Sequence, residues 1–266
     1  MSQQDRNAEL VSLLETDFVG RNEPSYAWKS ACSACLALPG LRGFWPMSSF
    51  NEAGNAYDLS GQGRIASYNG NPLYGYENLV QWINFDGVGD YLNRGTEAGL
   101  DILGTESYVT PAYRGLTLGG WFYVDQHVTG GDGDGLIAKI TYINDYSYGL
   151  ITDNTPNATF LISSTGAVGG VQSISETITY QSWYFIVGRF IPSTELKVWV
   201  NATQATLAVG VAASIFNSAA DLEIGAYNTG ANLTDGKASL VFLCATAVSD
   251  PIINALYQST RGMFGV

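Results

Sequence analysis

From residue 41 onward, apolar and polar side chains alternate in short segments. A period of two puts every second side chain on one face of an extended chain, so these segments read as half-buried β-strands. The pattern predicts strands over residues 41–45, 82–86, 116–124, 135–140, 147–151, 159–163, 183–190, 195–200, 222–226 and 237–246. Between them lie Gly61-Gln62-Gly63, Asn69-Gly70-Asn71 and Gly130-Gly131-Asp132, residues that tolerate tight turns. Many short strands separated by turn chemistry predict an antiparallel sandwich over residues 41–248.

The period changes at both ends. Residues 7–19 place Leu10, Val11, Leu14 and Phe18 at helical spacing, with Gly20 as the stop. A second helix beginning near Pro24 carries Trp28, Ala31, Cys32, Cys35 and Leu36 on one side. A last helix fits residues 249–257, with Ser249 or Asp250 as cap and Pro251 in the first turn. The expected organisation is therefore a helical arm over 1–38, a sandwich over 39–258 and a tail over 259–266. The arm either packs on its own sandwich or docks on neighbouring subunits. The functional expectation is the second, with Leu10, Val11, Leu14, Phe18 and Trp28 buried against another polypeptide.

Charge narrows the partners. With 24 acidic and 12 basic residues, the formal net charge is −12. That surface repels phosphate backbones and anionic membranes, so nucleic acid is excluded as an expected partner. No apolar run is long enough to span a bilayer, and residues 1–6 lack the pattern of a secretory signal. Three cysteines, Cys32, Cys35 and Cys244, are too few for a disulfide framework, and the expected folding compartment is a reducing cytoplasm. The sequons at Asn157, Asn201 and Asn232 carry little meaning without a signal.

Candidate chemistry is sparse. Retaining and inverting glycosidases need two suitably spaced carboxylates, and no Glu-x-Asp-x-Glu string occurs; Glu97 and Asp101 lie in a Gly-rich stretch instead. His127 is the one histidine, in a polar turn where it is expected to be solvated, and no Gly-x-Ser-x-Gly elbow accompanies it. Cys32-x-x-Cys35 lacks a preceding thioredoxin-like strand and reads as two small buried residues on a helix. Asp132 and Asp134, in a Gly-rich acidic loop, could hold a hard cation such as calcium, or belong to a plain hairpin loop. Asp153, Asn154 and Asn157 form a second polar loop expected near the first. Trp45, Trp82, Trp121, Trp183 and Trp199 fall in strand patterns and read as core or sheet surface. Tyr68, Tyr74, Tyr76, Tyr142 and Tyr146 read as loop aromatics, the better candidates for a ligand or an interface.

The order of motifs resembles the laminin-G-like branch of the concanavalin A-like lectin/glucanase superfamily. Gly43-Phe44-Trp45-Pro46 is similar to its opening strand, and Asp58-Leu59-Ser60-Gly61-Gln62-Gly63 to its Asp-x-Ser-Gly-x-Gly loop. Phe85-Asp86-Gly87-Val88-Gly89-Asp90-Tyr91-Leu92, Gly120-Trp121-Phe122 and Ser182-Trp183-Tyr184 follow in the family's order. Leu196 to Asn201, Leu222-Glu223-Ile224-Gly225 and residues 249–257 complete the likeness, which spans about 41–258. The resemblance implies an all-β antiparallel jelly roll.

Two departures stand out. Asn201 is followed by Ala202 where the family turns on Asn-Gly, and Ser239 follows Gly236-Lys237-Ala238 where calcium-binding relatives place an Asp. Asp58 is thereby left without its usual partner in a calcium site. The helical lead-in to Leu38-Pro39-Gly40-Leu41-Arg42-Gly43-Phe44-Trp45-Pro46 also resembles laminin-G-like proteins of tailed bacteriophages. That likeness implies a virion setting, and with the missing catalytic motifs the expectation is a non-catalytic capsid decoration or tail component made in the host cytoplasm. Its implied partners are its own copies and other virion proteins. A carbohydrate-binding module for surface attachment is the alternative, and an enzyme is not expected.

Overall fold

Sixteen strands, two α-helices and three single-turn 3₁₀ helices make up the regular structure of the described residues, which are 26–48, 55–77, 80–107, 109–128, 133–142 and 144–266 of a computed structural model. Helix α1 is Tyr26–Leu36, followed by β1 (Leu41–Trp45), β2 (Asn55–Ala56), β3 (Ala66–Asn69), β4 (Leu73–Glu77), β5 (Val80–Asp86) and β6 (Tyr91–Gly95). Then come β7 (Leu116–Gln126), β8 (Asp134–Thr141), β9 (Asp145–Thr152), β10 (Asn157–Ser163) and β11 (Val171–Thr177). The chain closes with β12 (Trp183–Ile191), β13 (Glu195–Val200), β14 (Thr203–Leu207), β15 (Leu222–Ile224), β16 (Asp235–Cys244) and α2 (Asp250–Thr260).

The strands form two antiparallel sheets, as the alternation predicts. The first runs β14-β13-β12-β7-β16-β5-β4, with β1 also paired to β16; the second runs β11-β10-β9-β8-β15-β6-β3-β2. Ala158, Phe160 and Ile162 of β10 and Ile83 and Phe85 of β5 enter the core between the sheets, and Leu161 turns away from it. Strand β16 changes partner halfway. Its first half pairs with β5 and its second with β1, and the change falls at a bulge between Ser239 and Phe242. Leu240 takes φ +50° there, a left-handed conformation uncommon for a leucine, within the bulge. The β13–β14 turn needs no glycine at Ala202, because the left-handed residue is Asn201, at φ +56°. Asn201 also accepts the Phe185 N–H through Oδ1 at 2.8 Å.

A second apolar layer covers part of the outer face of the first sheet, and it corrects the expectation for Trp28. Trp28, Ala31, Cys32, Cys35 and Leu36 of α1 pack intramolecularly with Phe44, Trp121, Phe242 and Ile253, so Trp28 is a core residue and not an assembly contact. Burying such a side chain is worth about 1.5–3 kcal/mol, which fixes α1 to its own sandwich. Leu10, Val11, Leu14 and Phe18 lie outside the described residues. Residues of the C-terminal tail belong to this layer: Phe264 stacks on Trp121 at 4.1 Å, and Thr260 Oγ1 accepts the Trp121 indole N–H at 3.0 Å. Ser249 stands at the N-cap position of α2 and Pro251 in its first turn, but the Ser249 side chain makes no capping bond. Asp250 serves the fold through Arg189 (2.6 Å) and Lys197 (3.2 Å) instead. Burial works against its ionisation, yet these two cations hold its carboxyl below the usual range.

Candidate functional site

Beyond the C-terminal segment, the outer face of the first sheet opens into a cavity of about 560 Å³. Strand parity decides what lines it. Ile83, Phe122, Ala238 and Ile186 point into the core, so Trp82, Tyr123, Lys237 and Trp183 point outward. These four stand on adjacent strands in the order Trp183 (β12), Tyr123 (β7), Lys237 (β16) and Trp82 (β5). Trp183 faces Tyr123 in register, and Tyr123 faces Lys237. Three strand spacings make this row roughly 14 Å long.

The row is tightly ordered. The Lys237 ammonium lies 4.8 Å from the Trp82 ring centre and 4.7 Å from that of Tyr123. Trp183 meets Tyr123 edge-on at 5.7 Å and Phe264 edge-on at 5.0 Å. Gly75 on β4 is the register partner of Trp82, and a Cβ there would lie 2.0 Å from the indole. The glycine thus lets the ring lie across the edge strand.

Polar groups surround the rings. Glu77 lines the cavity, and Asp125 shares the outward face of β7 with Tyr123. Burial and the neighbouring Asp235 push the Asp125 carboxyl up, while Lys237 opposes them. Burial, Asp125 and Glu77 raise the Tyr123 hydroxyl. An ammonium donor lying over two of the rings, an indole beside them and carboxylate acceptors nearby can meet the hydroxyls and the C–H face of a polyol together. The sequence leaves Trp82 and Trp183 as core or sheet-surface residues and does not join them to Tyr123 and Lys237.

Most of the predicted loop aromatics are strand residues. Tyr68 lies on β3, Tyr74 and Tyr76 on β4 and Tyr146 on β9, while Tyr142 just follows β8. Tyr68 and Tyr74 pack against the main core, and burial raises the Tyr74 hydroxyl. Tyr76 is half exposed. Tyr142 and Tyr146 join Tyr227 over an apolar patch of Ala138, Ile140, Ile151 and Leu161 on the outer face of the second sheet. The Tyr142 and Tyr227 hydroxyls are 3.1 Å apart.

The described acidic candidates, Asp58, Asp134 and Asp153, are hydrogen-bonded within the fold. The Asp58 carboxylate accepts the backbone N–H groups of Phe44, Ser60 and Arg64 at 2.8–2.9 Å and the Ser60 hydroxyl at 2.8 Å, which staples its loop to β1. Asp134 is fully buried at the start of β8 and binds His127 Nδ1 at 2.9 Å and the Val128 N–H at 3.0 Å. His127 is therefore a partly buried partner of Asp134 and not a solvated turn residue, because the carboxylate draws it inward. Asp153 accepts from Thr155 at 2.7 Å and Asn157 at 3.3 Å, while Asn154 is exposed. Asp134 pairs with Thr152, which precedes the second polar loop. Asp132 lies outside the described residues. Among the described residues, no three His, Cys, Asp or Glu side chains gather into one cluster.

Glu97 binds Arg64 and Arg94, and Asp101 lies 3.3 Å from the buried Lys139. Cys32, Cys35 and Cys244 are buried free thiols, and burial pushes the pKa of each upward. Two buried titratable groups, Lys139 and Glu223, carry no signal in the sequence pattern. Glu223 on β15 is 1% exposed, accepts the Gly230 N–H at 3.2 Å and leaves Oε1 without a hydrogen bond. Burial pushes its pKa up to about 7, with Asp221 adding to the rise.

No family model matches the chain, and no curated protein matches it. Solved structures do. The binding domain of botulinum neurotoxin DC in complex with rat synaptotagmin II superposes with TM-score 0.61 at 13% identity, over 83% of this chain and 52% of that one. A botulinum neurotoxin type C structure, whose cell entry is described as dependent on two ganglioside molecules, gives 0.61 at 13%, over 82% and 50%. The binding domain of Paraclostridial Mosquitocidal Protein 1 gives 0.61 at 9%, over 85% and 53%. The chain spans about half the length of these structures. At such identities the likeness shows the β-sandwich fold, and it does not show the resemblance to phage proteins.

Proposed function

We propose that the chain is a non-catalytic binding module that holds a carbohydrate on the groove of Trp82, Tyr123, Lys237 and Trp183. The observation that carries this reading is the open aromatic–cation row across four strands, with carboxylates at its edge. Ligand sites combine apolar walls with a few placed polar groups, and this groove has both. The sandwich shared with receptor-binding domains supports a binding role. Glu97 and Asp101 are committed to ion pairs, which speaks against a glycosidase pair. The test is calorimetric titration with neutral and sialylated oligosaccharides. Binding that Trp183→Ala and Lys237→Met each weaken by about tenfold supports the reading. Binding indifferent to both variants, or none to any glycan, overturns it.

The narrower setting, a decoration or tail component of a virion, rests on the lead-in of residues 38–46. Antibody labelling of intact particles supports it, and antigen found only outside particles contradicts it.

A further inference from the structure

Residues 154–175 and 198–220 contain no Asp, Glu, Lys, Arg or His. They are 22 and 23 residues long, and the chain's 14% share of charged residues would place about six charges in them. The fold brings both stretches to one flank of the sandwich. The first supplies β10 and most of β11, the edge strand of the second sheet; the second supplies β14, the edge strand of the first. The loop after β14 is tied to β11 by Gln172, which donates to Gly210 O at 2.6 Å and accepts from the Ala212 N–H at 2.8 Å. Exposed here are Ser173, Ser175 and Thr206, with Val168 at 66% and Val209 at 84%.

Sheet edges are ordinarily protected by lysines, prolines or bulges, because unpaired backbone groups invite another strand. Strand β11 has none of these. It meets β10 in seven consecutive residue pairs without a bulge, so its free edge is straight. Its sole charged residue is Glu176.

We propose that this flank is a self-association surface, on which β11 of one copy pairs antiparallel with β11 of a second copy. Charge selects that occupant. A chain of net charge −12 repels its own copies wherever its acidic surface meets them, and this flank removes the repulsion. A different protein is ordinarily selected by complementary charges, which the flank does not offer. A two-fold axis at Ile174 sets Ser173 against the partner's Ser175 and Glu176 against the partner's Gln172, so no like charges meet. Hydroxyl pairs of that kind suit cross-strand contacts. The groove faces elsewhere, and its reading does not enter this argument.

The experiment is sedimentation velocity of the full chain over a concentration series, with circular dichroism confirming that each variant is folded. A concentration-dependent dimer is expected, weakened at least about tenfold in S173K/S175K and unchanged in the opposite-edge control L73K. Mixing the S173K/S175K chain with an S173E/S175E chain restores a dimer, because the register sets the new opposite charges against each other. A monomer at every concentration overturns the proposal, as does a dimer indifferent to S173K/S175K. Flotation of a monomeric chain with phosphatidylcholine vesicles, lost in V168K/V209K, overturns it in favour of a lipid surface.

Discussion

Replacing Glu223 by Gln should remove about 2.5 kcal/mol of pH dependence from the stability of the fold. The carboxyl is 1% exposed, and its pKa stands at about 7 against an ordinary 4.5. The folded chain therefore binds more protons than the unfolded chain between those values. Stability from this group is fully present below pH 4.5, falls as pH rises through the window and levels off above pH 7. The full difference of 2.5 units corresponds to about 3.4 kcal/mol, and integrating between pH 5 and pH 8 leaves about 2.5 kcal/mol. Glutamine keeps an acceptor for the Gly230 N–H but puts an amide where Oε1 has no partner, a fixed cost of about 1–3 kcal/mol at every pH. The informative quantity is thus the double difference, which cancels that cost and the titration of other groups. Urea unfolding of both proteins at pH 5 and pH 8 measures it. Equal pH dependence in the two proteins would refute the reasoning.

Three further outcomes follow from the same contacts. Phe264→Ala should cost about 3 kcal/mol in urea unfolding, because a ring stacked 4.1 Å from Trp121 is lost; an unchanged midpoint would mean that the C-terminal segment is not part of the core. Asn201→Ala should cost about 2 kcal/mol, since it strips the acceptor of the Phe185 N–H and leaves alanine at φ +56°; a variant as stable as the parent contradicts this. Lys139→Ala should cost about 3–5 kcal/mol, because Asp101 and the carbonyls of Ser218 and Ala220, both 2.6 Å from Nζ, lose a buried cation; thermal unfolding within a degree of the parent would rule that out.

The strands richest in apolar alternation were legible in the sequence, and two of them, Leu41–Trp45 and Glu195–Val200, have the expected bounds. The strands that pattern reading passed over are short or polar: β2, β3, β4, β6, β11 and β14. Strand β11 shows why. Its Val-Gln-Ser-Ile-Ser-Glu-Thr sequence closes one edge and buries little beyond Ile174. Tyr74 and Tyr76 read as loop residues because glycines and prolines surround them, yet Gly75 sits within a strand to make room for Trp82. The groove was half legible. A period of two shows that Trp82, Trp183 and Lys237 face away from the core. It cannot show that α1, α2 and Phe264 cover Trp121 and leave those three open, because that depends on contacts between distant parts of the chain. His127 and Asp134 are seven residues apart across a turn, and no periodicity marks such a pair.

The central claim is that the groove on the first sheet holds a saccharide, and indole ¹H–¹⁵N spectra test it most directly. The Trp82 and Trp183 rings line the cavity, whereas Trp45 and Trp121 are fully buried. Titration with an oligosaccharide that the chain binds should shift the Trp82 and Trp183 indole signals saturably and leave that of Trp45 in place. Saturable binding that moves neither Trp82 nor Trp183 would contradict the account.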